Sequence, residues 1–445
     1  GFTMNDKVFL TSKKIDWLVS LLMGRRMPKV VFFSALFISV SSQAATLPQL
    51  MRQALNQHPQ VRAQQAIIDV KEVGVATAKW QYYPTLSANY ETVSAAKSDA
   101  SFAGDSDVTT LNIEQPIWSG GLLAAGVDIA SSQVALENVQ LQVVKLNIAE
   151  AMLQAYGQWL SGYKSMQAWD QGLDIHQKLQ NQVQNRVDHG VSAPIDLTLA
   201  KGRLASTQVQ YLTAKSEAQL ALNEINQLTQ RQFTHQDLIK EAHLSAPVLV
   251  HLTVQEMWAK ARLFDPQIAL AQSHIGLAQF ELKQQKASIS PRLYFRAEQQ
   301  VNSFSNAQAG SSVRFFLGLS GSSGAGLSVL SKNNAAAATV AAKEAALVAV
   351  EYARRQKLVN LMTKIDALHL RIETLSSAMT VTLAVSKSYS RQFLAGRKTW
   401  QEVLNSAREQ VQMEVQMVDL EVALLVAQWR LALITSGLTA SGDRT

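Results

Sequence analysis

The sequence predicts a mainly α-helical protein that also carries a few transmembrane β-strands and contains an internal duplication. Three observations predict this fold class: long stretches without proline, a repeat that aligns without gaps, and short segments in which apolar and polar residues alternate. Only 9 prolines occur in 445 residues, and none lies between Ile117 and Ala193 or after Pro291. Because proline interrupts helices, both stretches are expected to form very long helices.

The repeat relates residues 46–91 to residues 253–298 at an offset of 207. Equivalent turn residues coincide: Pro59 with Pro266, Pro84 with Pro291 and, at an offset of 206, Gly190 with Gly396. Period and order identify such a duplication more securely than residue identity does. The predicted organisation has five parts: a cleaved targeting segment 1–44, a first repeat 45–230, a linker 231–251, a second repeat 252–436 and a tail 437–445.

Each repeat is predicted to contain one helix of about 30 residues, two strands and a long helical hairpin. The first helix begins near Leu47 or Val254. Alternation with a period of two predicts four strands, within residues 86–91, 111–114, 293–298 and 313–319. The outgoing hairpin helices, residues 122–187 and about 335–394, would each extend about 100 Å at 1.5 Å per residue.

The return helix of the first hairpin carries a coiled-coil signal. It begins near Pro194, and small residues recur at intervals of seven at Ala200, Thr207, Ala214 and Ala221. An apolar seam sustained over four heptads is typical of helices packed along one another. The small side chains predict a close approach of neighbouring helices.

The N-terminal region has the pattern of a signal peptide. Arg25, Arg26 and Lys29 precede the apolar run 30–40, which ends in small residues up to Ala44. Residues 1–44 contain six basic and two acidic residues, so their removal takes away more than half of the formal net charge of +7. The basic balance therefore does not indicate a nucleic-acid partner.

The composition excludes several kinds of chemistry. The absence of cysteine rules out disulfides, thiolate metal sites and a cysteine nucleophile. His235, His243 and His251 lie eight residues apart, but no acidic or cysteine pattern accompanies them, so we predict no metal site. No catalytic or cofactor-binding motif is found, and the protein is predicted not to be an enzyme and to need no cofactor.

Four alternating strands cannot close a barrel by themselves, since the smallest membrane barrels have about eight. The sequence therefore predicts an oligomer that pools its strands in the outer membrane. The charged residues Glu91, Glu114, Arg296, Glu298 and Arg314 fall opposite the apolar positions, as expected for a wet lumen.

Four sequence features occur in a fixed order: LPQLMRQALNQHPQV from Leu47, QPIWSGG from Gln115, HGVSAPIDL from His189 and the duplicate turn around Gly396. Through these features residues 46–436 resemble the TolC family of outer-membrane efflux and type I secretion channels. The resemblance implies a homotrimer with one twelve-stranded barrel and a periplasmic α-helical tunnel. It also implies a periplasmic adaptor and an inner-membrane ABC or RND pump as partners, with passive export of drugs or of secreted proteins such as adhesins.

The same resemblance implies two kinds of site at the hairpin tips. A periplasmic aperture would be formed by Asp196, Phe393, Lys398, Glu402 and Asn405. Phe393 replaces a tyrosine of the family pattern, and Glu402 and Asn405 replace two aspartates. Adaptor docking would involve Gly190, Val191, Gly396 and Arg397.

Two alternatives stay open on the sequence. Asp196 and Glu402 could instead stabilise the first turn of a return helix, where acidic residues are favoured. The whole chain could be a periplasmic coiled-coil scaffold or adaptor without a pore.

Overall fold

The computed structural model describes residues 46–94, 99–239, 253–305, 310–322 and 325–437. The first repeat contains α1 (Leu47–Gln57), α2 (Pro59–Trp80), β1 (Thr85–Thr92), β2 (Asp107–Trp118), α3 (Leu122–Asp188) and α4 (Pro194–Thr229). A short helix, α5 (His235–Ile239), follows. The second repeat contains α6 (Val254–Phe264), α7 (Pro266–Ala287), β3 (Arg292–Val301), β4 (Ser311–Ser320), α8 (Ser328–Leu394) and α9 (Trp400–Ser436).

The order of elements is the same in both repeats, and α1, α2 and α3 have the same lengths as α6, α7 and α8. The predicted fold class, mainly helical with four strands and a duplication, is therefore confirmed. The predicted targeting segment 1–44, residues 240–251 of the predicted linker and residues 438–445 of the predicted tail lie outside the described residues.

The predicted single helix of about 30 residues is wrong in both repeats, because the chain breaks before Pro59 and before Pro266. The residue before each proline is extended, with ψ 132° at His58 and 112° at Asp265. Steric conflict with the proline ring disfavours the helical conformation at that position, while proline suits the first turn of the next helix. The same residue then caps the new helix: Nδ1 of His58 and Oδ1 of Asp265 each accept a backbone N–H two residues later.

The helical hairpins are long and closely packed. The outgoing helices α3 and α8 each have 67 residues. In the return helix α4 the predicted seam residues Ala200, Thr207, Ala214 and Ala221 are buried. A Cβ atom added to Gly162 of α3 would lie 2.8 Å from the backbone nitrogen of Ala218, so the helix backbones approach more closely than a side chain there would permit.

The four strands form one antiparallel sheet in the order β1-β2-β3-β4. Since side chains alternate between faces, the register places the apolar residues on one face and the polar residues on the other. Leu86, Phe315 and Leu317 on the apolar face are 72%, 70% and 71% exposed. An exposed apolar face of this kind marks a surface that contacts a membrane or another protein.

The main hydrophobic cluster contains no strand residues and is formed by side chains of α1, α3, α4, α5 and α9. Its largest fully buried side chains include Trp159 and Tyr156. Trp159 donates a hydrogen bond from Nε1 to Nδ1 of His235, 3.0 Å away, which fixes α5 against α3. Within the described residues, no helix has the length and apolarity needed to cross a membrane.

Candidate functional site: the two hairpin tips

Both hairpins turn through the same backbone motif. At the first tip, Gly190 has φ +72°, and the N–H of Val191 donates to the carbonyl of Arg186 at 2.7 Å. At the second tip, Gly396 has φ +73°, and the N–H of Arg397 donates to the carbonyl of Gln392 at 2.9 Å. A left-handed residue at this position ends a helix by satisfying its last carbonyls, and glycine adopts it without strain.

The return helices begin differently. The residue before α4 is Ala193, whose methyl group cannot form a capping hydrogen bond, and Pro194 occupies the first turn of the helix. In α9 the hydroxyl of Thr399 accepts the backbone N–H of Glu402 at 3.4 Å, and Oε2 of Glu402 accepts the N–H of Thr399 at 2.9 Å. This reciprocal pair is a capping box.

A hydrophobic cluster ties the two tips together. It contains buried side chains from α3, α4, α8 and α9: Leu179, Val183, Ala200, Phe393, Trp400, Val403, Leu404 and Ala407. The rings of Phe393 and Trp400 are 4.8 Å apart between centroids, and the guanidinium of Arg186 lies 4.7 Å from the Phe393 ring centroid. Arg186 belongs to the first hairpin and Phe393 to the second, so this stack joins the hairpins.

The charge of Glu402 is compensated within its own tip. Nζ of Lys398 lies 2.7 Å from Oε1 of Glu402, and it also lies 4.4 Å from the ring centroid of Tyr389. The hydrogen bond from Lys398 is the main cause that lowers the pKa of Glu402 to about 2, followed by the hydrogen bonds from Thr399. Glu402 raises the pKa of Lys398 in return.

The structure brings together only some of the residues predicted for the aperture. Lys398 and Glu402 are in contact, whereas Asp196 and Asn405 are half-buried on separate return helices. Phe393, predicted on the inner surface of an aperture, is only 6% exposed and packs inside the tip. An aromatic ring held between Arg186 and Trp400 adds little exposed surface to the tip of the protomer, and the aperture itself stays a prediction.

In the protomer, Glu402 makes the contacts of a helix-capping residue, which is the alternative interpretation of this residue. The spacing Thr399-x-x-Glu402 is the sequence signature of a capping box, and it predicts this contact without a structure. No local sequence pattern predicts the contacts of Arg186 and Trp400, because Arg186 meets a residue of the other hairpin and Trp400 depends on the packing of the tip. The residues predicted for adaptor docking, Gly190, Val191, Gly396 and Arg397, are all exposed at the turns.

The part of the chain that the structure describes contains no group of three or more His, Cys, Asp or Glu placed to hold a metal ion. His235 instead accepts the hydrogen bond of Trp159. His243 and His251 lie outside the described residues.

Residues 50–230 match the family model described as "Outer membrane efflux protein". This segment contains α1 to α4 and the strands β1 and β2. No curated protein matches the chain in sequence.

Solved structures of outer-membrane channels have the same fold at low sequence identity. VceC of Vibrio cholerae is 16% identical with a TM-score of 0.73, over 88% of this chain and 96% of that one. CusC is 15% identical with a TM-score of 0.74, over 87% of this chain and 91% of that one. CmeC of Campylobacter jejuni is 11% identical with a TM-score of 0.73, over 88% of this chain and 85% of that one.

The duplicated unit, with its amphipathic four-stranded sheet and two long hairpins, has the fold of TolC-like channels. The match of residues 50–230 to the outer membrane efflux protein model agrees with the resemblance seen in the sequence. The outer-membrane location and the interpretation as a channel that is not an enzyme agree with the description of that model.

Proposed function

We propose that the protein is the passive exit duct of a tripartite exporter and works as a homotrimer. The observation that carries this proposal is the sheet, whose apolar face is exposed and whose outer strands β1 and β4 each have an edge without a partner among the described residues. A membrane tolerates strands only in a closed barrel. Three copies with four strands each would give twelve strands, an even number within the known range.

The helical hairpins support the second part of the proposal. At 67 residues, α3 and α8 would each extend about 100 Å from the sheet, which suits a tunnel across the periplasm. The turns expose Gly190, Val191, Gly396 and Arg397, with Val191 61% exposed. We assign these turns to docking of a periplasmic adaptor that couples the duct to an inner-membrane ABC or RND pump.

The aperture is proposed at the same end of the hairpins, with Asp196, Lys398, Glu402 and Asn405 at its surface. Phe393 has a supporting part, since it holds the second tip against Arg186 of the first. Because Lys398 compensates Glu402, Asp196 is the acidic group of this set whose charge is left to attract cations. Drugs and secreted proteins remain the two substrate classes of the proposed duct.

Deletion of the coding sequence tests the proposal. Loss of the duct should raise sensitivity to drugs or remove particular proteins from the culture medium, and re-expression of the full chain should reverse the effect. Parallel growth assays and analysis of the medium separate drug efflux from protein secretion.

The scaffold alternative requires no barrel. Protein extracted from the outer membrane should migrate as a trimer before heating and as a monomer afterwards. A monomer under both conditions, together with no export defect, would favour the scaffold.

A further inference from the structure

The polar face of the sheet carries an aromatic cluster beside an arginine, formed by Tyr294, Arg296 and Phe316. Arg296 of β3 is directly opposite Phe316 of β4, and its guanidinium carbon lies 4.7 Å from the Phe316 ring centroid. The neighbouring pair is Tyr294 and Gly318. A Cβ atom on Gly318 would lie 2.3 Å from Cζ of Tyr294, so the tyrosine ring lies across the strand where a side chain is missing.

Arg296 differs from the other arginine on this face. Arg314 is paired with Glu298, with 3.4 Å between Nη2 and Oε1. Among the described residues, Arg296 makes no ion pair within 4.0 Å, and its Nε is buried without a hydrogen-bond partner. Its position is fixed by stacking on Phe316. Because Nε is buried, the N–H groups left for a planar anion are those on the two Nη nitrogens of Arg296.

We propose that Tyr294, Arg296 and Phe316 form a contact site for organic anions that carry an aromatic ring. This inference rests on the proposed function, in which the polar face lines the lumen and three such sites surround it. The guanidinium would pair with a carboxylate or sulfonate group, and the rings of Tyr294 and Phe316 would contact the aromatic part of the ligand.

The charges around the cluster explain why the site selects a chemical class and does not attract every anion. Glu114 is directly opposite Arg296 on β2, and Glu298 is opposite Arg314 on β4. These two acidic and two basic residues balance in formal charge. A small inorganic anion gains little binding energy from these four charges because they cancel, whereas an aromatic anion also gains contacts with the rings.

Single-channel recording tests the site with the full chain in a planar bilayer. The probe is naphthalene-2-sulfonate, and the measured quantity is the concentration that half-blocks the current. We expect Arg296→Gln to raise this concentration about tenfold. Phe316→Leu, which keeps the charge but removes the ring, and Gly318→Ala, which displaces Tyr294, should each raise it about threefold.

Arg292→Gln is the matched control, because Arg292 lies on the same strand and the same face, opposite Ser320. This variant loses the same charge and should change the half-blocking concentration by less than about twofold. Equal effects of the two arginine substitutions, or no effect of Phe316→Leu, would overturn the aromatic-anion site.

The two proposals fail in different ways. Wild-type channels that conduct normally but are not blocked by the probe would refute the contact site and leave the duct intact. A wild-type chain that forms no channel would refute the duct, and the contact site with it. Should Arg296→Gln not insert, the Phe316 and Gly318 variants decide alone.

Discussion

The two hairpin tips have the same turn but are stabilised by different means. Both turn at a glycine with φ near +72°, so one backbone motif serves both. The first tip then begins its return helix with Pro194 and has no side-chain cap, whereas the second has a capping box, an ion pair and the buried ring of Trp400. Duplication preserved the backbone geometry while the side chains that stabilise it diverged.

This difference has an electrostatic consequence. Asp196 and Glu402 are equivalent acidic residues at an offset of 206. Glu402 accepts hydrogen bonds from Lys398 and Thr399, whereas Ala193, equivalent to Thr399, offers Asp196 no hydroxyl. Equivalent positions in the two repeats are therefore not equivalent sites.

The largest effect is expected from Trp400→Ala, which should loosen the second tip. Trp400 is 4% exposed, and truncation of a buried tryptophan costs about 3 to 5 kcal/mol. Hydrogen exchange at the tip amides should show this loss of protection. The control is Pro194→Ala at the equivalent position of the first tip, where about 1 kcal/mol or less is expected. Similar losses in the two variants would contradict the asymmetry of the tips.

An intermediate and equal effect is expected from Gly190→Ala and Gly396→Ala. A side chain at positive φ costs about 1 to 2 kcal/mol, and neither position has an atom within 4 Å that a Cβ would meet. Hydrogen exchange should register the same loss at both tips. Gly202→Ala, in the exposed interior of α4, is the control and should stabilise its helix slightly. Unequal costs would mean that the tip side chains also determine the turns.

The smallest effect is expected on ion preference. Asp196→Asn should lower the preference for cations more than Glu402→Gln does, because Lys398 already compensates Glu402. Reversal potentials in a salt gradient across a planar bilayer measure this preference, with each variant compared with wild type. A larger effect of Glu402→Gln would assign the acidic ring of the aperture to the second repeat.

Much of the fold could be predicted because it depends on local signals. Prolines mark helix boundaries, alternation marks strands, and the heptad of small residues marks the seam. The prolines that mark helix boundaries also occur twice, Pro59 with Pro266 and Pro84 with Pro291, which strengthens the prediction. The break before Pro59 also has a local signal, because the residue before a proline disfavours the helical conformation and the proline suits the start of a new helix.

The site was less predictable because its contacts join distant parts of the chain. Arg186 and Phe393 come together only when the two hairpins pack side by side, and no local pattern links them. Likewise, the stacking of Arg296 on Phe316 requires the register of β3 with β4. By contrast, Thr399 and Glu402 are only three residues apart, and the helix cap that they form could be predicted from the sequence.

The sheet has an even number of strands, and this parity governs how copies can assemble. In an antiparallel sheet of four, the first and last strands point in opposite directions. β4 of one copy can therefore pair antiparallel with β1 of the next while both copies have the same orientation across the membrane. Such a head-to-tail contact generates a ring when the rotation between successive copies closes. An odd number of strands per copy would force a parallel strand pair at every junction between copies. With an even number, every junction is antiparallel whatever the number of copies. The curvature of the sheet then determines how many copies close the ring.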